Sequence, residues 1–505
     1  MSAWIAPPPA RSSPLSELVA PTAPPTPLPM PDEPPRLPLC VDLDGTLVRT
    51  DTLVEGMLAL AGSMRLGELA RAFAGGRAGL KARVATLAPP DPALLPYNEA
   101  LLTYLRQERA TGRRIVLATA ANEAVAAVVA GHLGVFDEVI ASSATHNLKG
   151  RAKAAALVAR FGRGGFAYAG DHHADLAVWA EAGAAVLVDV APAIAARVAV
   201  PVECRIAAQP PLLPSLLRGM RPHQWVKNLL VFVPILTSNA LLDGPSWLGG
   251  LLAFAAFCAA ASGIYLVNDL LDLAADRAHA VKRRRPFAAG DAPAGAGIAL
   301  AALLLGAAAM LASAAGVAAV VAAYAATSLA YSLWLKRQPL VDVFVLAGLF
   351  TIRLFGGGAA SGHALSLWLL AFASFLFLSL ALVKRVAEVM DSSRRSAARV
   401  AGRGYGPADL LILQLFGVSA AFSSSLVLAL YVQNEAGSGR FATPGLLWAT
   451  VPLVLLWNCR IWLSTARGYM HHDPILYAAR DRVTWVIALA VLAMMLAARA
   501  GVGDI

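Results

Sequence analysis

Apolar runs recur through the rear of this chain at a length suited to crossing a bilayer. They fall near residues 229–243, 247–268, 297–317, 318–336, 339–360, 365–384, 410–432, 443–464 and 483–501. A helix spanning the hydrocarbon core needs about 20 apolar residues, and each run except the first is near that length. About nine spans are therefore expected, in a chain that is 58% hydrophobic and 15% charged. The net charge of +10 gathers in loops between spans, which argues against nucleic-acid binding. With the N-terminus inside, alternate loops carry Arg277 and residues 282–285, then Lys336 and Arg337. The next two carry Lys384, Arg385, Arg394, Arg395, Arg399 and Arg403, then Arg467, Arg480 and Arg482. Outer loops carry only Arg440. This asymmetry predicts a multi-pass protein of the inner membrane with its basic loops in the cytoplasm. Cys40, Cys204, Cys258 and Cys459 show neither zinc nor disulfide spacing.

One stretch breaks the apolar pattern. Residues 262–290 read SGIYLVNDLLDLAADRAHAVKRRRPFAAG, the end of an apolar run passing directly into acid and base. On a continuous helix Asp269, Asp272 and Asp276 are spaced i, i+3, i+7 and share one face, with Asn268 beside them. Carboxylates that close repel unless a cation lies between them. Oxygen-only ligands suit Mg²⁺, completed by substrate phosphates. Lys282, Arg283, Arg284 and Arg285 follow and would meet those phosphates. A solvated juxtamembrane helix with a positive-inside loop is the plain alternative. Asn-Asp at the mouth of a span favours a metal–diphosphate site.

N-D-x-x-D-x-x-x-D resembles the first aspartate motif of the UbiA-type prenyltransferase superfamily. The longer string, with RPHQWVKN at 221–228, YSLWLKRQPLVDV at 331–343 and RGYMHHDPILYAARDR at 467–482, resembles its decaprenyl-phosphate 5-phosphoribosyltransferase branch. The resemblance starts near residue 216 and implies an all-α transmembrane bundle over residues 218–505. It implies transfer of phosphoribosyl from phosphoribosyl diphosphate to a polyprenyl phosphate. Asp269, Asp272 and Asp276 would hold Mg²⁺ on the diphosphate, with Asn268 orienting them. Superfamily members that prenylate aromatic acceptors carry a second acidic motif. Here that region, 384–391, reads KRVAEVMD. It is basic, which suits a second anionic phosphate held by Lys384 and Arg385. Lys227 either snorkels or contacts phosphate. Tyr331, Lys336, His472, Asp473 and Asp481 sit at cytoplasmic mouths, as solvated loop or as site. Arg353 and Arg460 fall inside spans and are functional candidates, the alternative being structural pairing, as with Asp342.

The front of the chain reads differently. Residues 1–36, rich in Pro, Ala and Ser, read as a disordered arm without signal-peptide character, which keeps the front domain cytoplasmic. LPLCVDLDGTL at 37–47 is a short buried strand ending in Asp42-x-Asp44-Gly-Thr46. RRIVLATAAN at 113–122, HNLKGRAK at 146–153 and FAYAGDHHADLAVWAEAG at 166–183 follow it. These four pieces in this order resemble the haloacid dehalogenase-type phosphatases. The resemblance implies an α/β Rossmannoid domain over 37–190 with a helical cap at about 48–110. Asp42 would be the nucleophile and Asp44 the general acid/base. Thr119 would bind phosphate oxygen, and Lys149, with Lys153 in reserve, would neutralise nucleophile and phosphate. Asp171 and Asp175 would hold Mg²⁺ with Asp42. His172 and His173 read as rim residues that could contact the leaving group. Residues 191–217, again rich in Pro and Ala, read as a linker.

Three functions compete. The first is a membrane phosphoribosyltransferase whose fused phosphatase removes the 5-phosphate of the product. An aromatic prenyltransferase would need the second acidic loop, which is missing. A transporter with a regulatory phosphatase-like domain would show inverted repeats or broken mid-membrane helices, and the polar residues instead cluster at one face.

Overall fold

The computed structural model describes residues 36–500 apart from 75, 208, 239–240, 395–403, 437–440 and 471–472. The expected arm up to residue 35, Arg395, Arg399, Arg403, Arg440 and His472 lie outside the described residues. In chain order the front half runs β1 (Leu39–Val41), α1 (Thr52–Gly62), α2 (Leu66–Phe73), α3 (Gly76–Leu87), α4 (Glu99–Ala110), β2 (Ile115–Asn122) and α5 (Glu123–Leu133). It continues with β3 (Glu138–Ser142), α6 (Arg151–Phe161), β4 (Ala167–Gly170), α7 (Leu176–Trp179), β5 (Ala184–Val188), α8 (Pro192–Ala195) and β6 (Val202–Ile206). The strands form one parallel sheet in the order β3-β2-β1-β4-β5-β6. Alternate side chains fill two cores: Leu39, Val41 and Leu117 on one face, Cys40, Val116 and Tyr168 on the other. Strands covered on both faces read as continuous apolar runs, as β1 and β5 do. The strand order reverses about β1, and in such sheets ligands bind beyond the carboxyl ends at the switch.

Two expected boundaries move. The cap is α1 to α3, because Leu101, Leu102 and Leu105 of α4 are buried in the sheet core. The expected linker contains an edge strand, since β6 pairs with β5 from Val202 to Ile206. Cys204 and Ile206 pack on the core, while Glu203 and Arg205 face outward. Arg113, itself buried, reaches Glu203 Oε2 at 3.0 Å and ties that edge down. Only residues 207–211 are left to connect the halves.

The rear half runs α9 (Leu212–Met220), a 3-10 segment (Pro222–Phe232), α10 (Val233–Thr237), α11 (Gly244–Leu271), α12 (Leu273–Ala278), α13 (Ala294–Ala314), α14 (Ala318–Leu333) and α15 (Val341–Ser361). It ends with α16 (Leu367–Arg394), α17 (Leu410–Ala436), α18 (Thr450–Ala466), α19 (Pro474–Arg480) and α20 (Arg482–Ala500). Among the described residues seven helices are long and apolar enough to cross a membrane, not nine. They are α11, α13, α15, α16, α17, α18 with the 3-10 turn ahead of it, and α20. The two expected spans outside this set are shorter. One is α14, with 16 residues. The other is the 3-10 segment with α10, eleven and five residues long. A 3-10 helix rises about 2 Å per residue, so these residues still reach about 30 Å. Lys227, midway along the 3-10 segment, pairs with Asp473, and the Ser238 carbonyl accepts from Arg499 beyond the end of α10.

The halves dock through the cap. Val54 and Leu58 of α1 pack with Leu266, Leu270, Leu273 and Phe287 in one buried cluster. Arg277 of α12 takes Glu55 of α1 through both arms of its guanidinium.

Candidate active sites

The front site is built on strand ends. Asp42 follows β1 and Asp171 follows β4, the neighbouring strand in the sheet. Asp175 sits one turn on, and carboxylate oxygens of all three lie within 4.8 Å of one another. Gly45 turns the chain at φ +82°, and a Cβ there would meet Asp171 Oδ2 at 2.4 Å. This explains the glycine of Asp-x-Asp-Gly-Thr. Thr46 Oγ1 donates to Asp171 Oδ1 at 2.9 Å. Burial, then Asp175 and Asp42, push the Asp171 carboxyl up to about 7. Burial and Asp42 also raise Asp175. Carboxylates that repel this way favour a cation between them, and the all-oxygen set fits Mg²⁺. Asp44 is held at about 7 by burial and by Asp51, a range suited to a general acid. The Thr52 amide donates to its Oδ1 at 2.8 Å.

The lysine assignment changes. Lys153 Nζ lies 2.8 Å from Asp42 Oδ2 and donates to the Tyr168 hydroxyl at 2.7 Å. That hydroxyl donates to Asp175 Oδ1 at 2.9 Å. Lys149 is exposed on the cavity wall. Gly150 caps α6, so Lys153 falls in its first turn and points inward, while Lys149 stays outside. Thr119 is fully buried with its hydroxyl accepting the Ala121 amide at 2.9 Å, beneath the lining residues 120–122. His172 caps the short turn before α7 and lines the cavity, and His173 is exposed. The cavity has about 820 Å³. Its walls include Lys81 of the cap, Gln209 of the connection and residues 293–295 at the start of α13. Lys81 latches the cap, donating to the Ala120 carbonyl at 2.6 Å and to Asn147 Oδ1 at 2.7 Å.

The rear site lies where α11 breaks. The expected shared face requires a continuous helix, but α11 stops at Leu271 and α12 starts at Leu273. Asp269 and Asp276 stay buried and together. Arg285 Nη1 donates to Asp269 Oδ1 at 3.0 Å and to Asp276 Oδ2 at 2.6 Å. Arg221, in the left-handed region at φ +54°, adds a second contact to Asp269 Oδ1. Asp272 turns away: its side chain is 42% exposed and faces Lys336 Nζ at 3.3 Å. Two buried oxygens, Asn268 Oδ1 and Asp269 Oδ2, have no hydrogen-bond partner among the described residues. Orphaned acceptors of this kind fit a cation. Lys282 and Arg283 are exposed on the turn after α12.

The remaining candidates separate into site and scaffold. Lys227 is ion-paired with Asp473 and lies 5.7 Å from the Phe350 ring, with Lys384 in electrostatic reach of both charges. Arg385 does not stand beside Lys384 as an anion ligand. It is fully buried, with Nη2 2.5 Å from Asp342 Oδ2 and Nη1 on Glu388. Tyr331 bonds to Arg385, and Tyr405 donates to Asp342 Oδ1 at 2.6 Å. Arg353 therefore is not the partner of Asp342. It donates to Asn228 Oδ1 at 2.7 Å and Tyr324 at 3.0 Å, fastening the 3-10 segment to α14 and α15. Arg460 is 40% exposed and pairs with Asp481 at 3.0 Å, a surface contact. Asp473, left open as loop or site, pairs with Lys227, and Arg221 gains a role that single-residue reading missed, though it lies in a quoted string.

Residues 231–471 match the UbiA prenyltransferase family, and residues 39–179 match the haloacid dehalogenase-like hydrolases. The protein y4nM of Sinorhizobium fredii is 36% identical over 464 residues, 90% of each chain, so that likeness spans both halves. Nodulation protein NoeC of Azorhizobium caulinodans is 34% identical over 277 residues, covering 54% of this chain and 89% of its own. A decaprenyl-phosphate phosphoribosyltransferase of Corynebacterium glutamicum is 36% identical over 295 residues, covering 56% of this chain and 86% of its own. Helices long enough to cross a membrane, an acidic motif at their mouth and relatives matched over most of their length lead to one assignment: the chain is an integral membrane protein of the UbiA prenyltransferase family, with a haloacid dehalogenase-like hydrolase domain ahead of its membrane bundle.

Proposed function

We propose that this protein moves 5-phosphoribosyl from phosphoribosyl diphosphate to a polyprenyl phosphate and then removes the 5-phosphate of the lipid product. The reading rests on one pairing at a single end of the bundle. An acidic cradle with two orphaned oxygens, Asn268 Oδ1 and Asp269 Oδ2, suits a metal-bound diphosphate. Lys227 and Lys384, with the single carboxylate of Asp473 beside them in place of a second acidic motif, suit a separate phosphate. The 36% identity to a decaprenyl-phosphate phosphoribosyltransferase supports it.

In the transfer step an oxygen of the lipid phosphate bonds to C1 of the ribose while the C1–O bond to diphosphate breaks. Diphosphate leaves with the electron pair. The acceptor is already an anion, so no strong base is needed. Asp269 and Asp276, with Asn268, would hold Mg²⁺, which when bound offsets charge on the leaving diphosphate. Arg285 stands on both carboxylates and Arg221 on Asp269, where each would meet the diphosphate. Lys227 and Lys384 orient the lipid phosphate.

In the hydrolytic step Asp42 attacks phosphorus, and the ester oxygen leaves with a proton from Asp44. Asp44 then takes a proton from the water that cleaves the aspartyl phosphate. Lys153 holds Asp42 in place and offsets its charge. Asp42, Asp171 and Asp175 would hold Mg²⁺ here. Both sites belong to the cytoplasmic face of the inner membrane, where soluble phosphosugars are found.

The test is incubation of purified protein with radiolabelled phosphoribosyl diphosphate, polyprenyl phosphate and Mg²⁺. Label should enter the lipid fraction. Label that stays in water, while a prenyl diphosphate and an aromatic acceptor are joined, would overturn the reading.

A further inference from the structure

One helix of the phosphatase cap touches both active sites. At its N-terminus α1 holds Asp44: the Thr52 amide donates to Asp44 Oδ1 at 2.8 Å, and Asp51 caps the turn through the Leu53 and Val54 amides. One turn later Glu55 receives Arg277, Nη1 to Oε2 at 2.7 Å and Nη2 to Oε1. Thr50 Oγ1 adds a bond to Glu55 Oε1 at 2.5 Å, and Arg277 Nε donates to the Ala288 carbonyl at 3.0 Å. The Arg277 and Glu55 side chains are only 7% and 10% exposed, so water competes little for this pair. Arg277 follows Asp276 directly, and Asp276 shares Arg285 with Asp269. At the other end of α1, a Cβ on Gly62 would stand 3.1 Å from the Leu271 carbonyl, at the break in α11. The cap thus grips the acidic segment on both sides of Asp272 and Asp276.

Apolar packing of Val54 and Leu58 would hold α1 on the bundle without fixing any side chain. A bidentate guanidinium–carboxylate pair is directional and sets the orientation of Arg277. We infer that Glu55 is a positioning residue of the transferase: through Arg277 the phosphatase cap fixes α12, and so presents Asp276 and Arg285 to the diphosphate. Asp44 of the phosphatase and Asp276 of the transferase are then set by the same rigid helix. This rests on the reading of the α11–α12 break as the diphosphate site.

The test uses the full chain, purified in detergent, with three readouts: KM and kcat for phosphoribosyl diphosphate, hydrolysis of p-nitrophenyl phosphate, and the thermal unfolding midpoint. Glu55→Gln, which keeps a hydrogen-bond acceptor for Arg277, should raise the KM for phosphoribosyl diphosphate about tenfold while kcat stays within roughly twofold and the unfolding midpoint falls by only a few degrees. Hydrolysis of p-nitrophenyl phosphate should fall several-fold, because α1 no longer holds Asp44 squarely. Glu55→Arg combined with Arg277→Glu should recover most of the lost affinity. Arg218→Ala, which removes an exposed pair with Asp291, should change none of these. An unmoved KM in Glu55→Gln overturns the inference, and so does a loss of both parameters that tracks a fallen unfolding midpoint, the mark of a contact that is structural only. A wild type with no transfer at all removes the transferase reading and this inference with it. A transferring wild type with unmoved Glu55 variants removes the inference alone.

Discussion

The two acidic centres use the same residue type and resolve its repulsion in opposite ways. In the front domain Asp42, Asp171 and Asp175 arrive from the ends of two neighbouring strands and the turn after one of them. Their oxygens lie within 4.8 Å, and Lys153 is the cation paired with them. In the rear domain Asp269 lies at the end of α11, Asp272 at the break and Asp276 in α12. Arg285 and Arg221 already occupy Asp269, Arg285 also holds Asp276, and Asp272 has turned to Lys336. Strand ends anchored in a sheet can hold like charges close together, because the sheet's packing opposes their separation. A helix end and the short helix after its break set Asp269 and Asp276 seven residues apart and let the Arg285 guanidinium fill the gap. The front carboxylates share one lysine, whereas the rear pair Asp269 and Asp276 is already bridged by arginine, with one Asp269 oxygen left unpartnered.

The comparison can be broken first at the rear carboxylates. Asp269→Ala should lower transfer by about three orders of magnitude, because it removes both a metal ligand and the arginine anchor. Asp272→Ala should lower it by less than about tenfold, in line with its exposed side chain. Equal losses, measured as labelled lipid per minute, would restore the shared face and contradict the helix break.

Neighbouring basic residues of α16 sharpen the contrast between scaffold and site. Arg385→Ala leaves Asp342 buried and unpaired and should cost about 3–5 kcal/mol, read as a fallen unfolding midpoint. Lys384→Ala should leave that midpoint in place and raise the KM for the lipid phosphate, by about tenfold. In the front domain Lys153→Ala should lower phosphomonoester hydrolysis by about a hundredfold and Lys149→Ala by only a few-fold. The reverse order would return the neutralising role to Lys149.

Much of this was legible in the sequence because it is local. A buried strand ending in Asp-x-Asp-Gly-Thr, and Asn-Asp at the end of an apolar run, each carry their chemistry within a few residues. What escaped depends on distance or on small departures from regular geometry. The choice between Lys149 and Lys153 turns on where α6 begins, at Gly150. The pairing of Asp342 with Arg385 joins residues 43 positions apart in sequence, and nothing in either neighbourhood announces it. Strand β6 is five residues long with only three apolar positions, flanked by Pro and Ala-rich stretches that read as linker. The run at 229–243 reads as a span by its apolar character, but it folds as a 3-10 segment and a five-residue helix outside the seven long apolar helices, and nothing in its composition announces the 3-10 geometry.

We propose that the two sites act in sequence on one lipid. The front cavity is walled in part by residues 293–295 of the membrane half, and only residues 207–211 separate the domains, so on the proposed reading a lipid product of one site would be concentrated at the other. Mass spectrometry of the lipid made from phosphoribosyl diphosphate by wild type and by Asp42→Asn tests this directly. Wild type should yield lipid-linked ribose without its 5-phosphate, and Asp42→Asn should stop at the phosphorylated lipid. The same 5-phosphorylated lipid from both proteins would contradict the account.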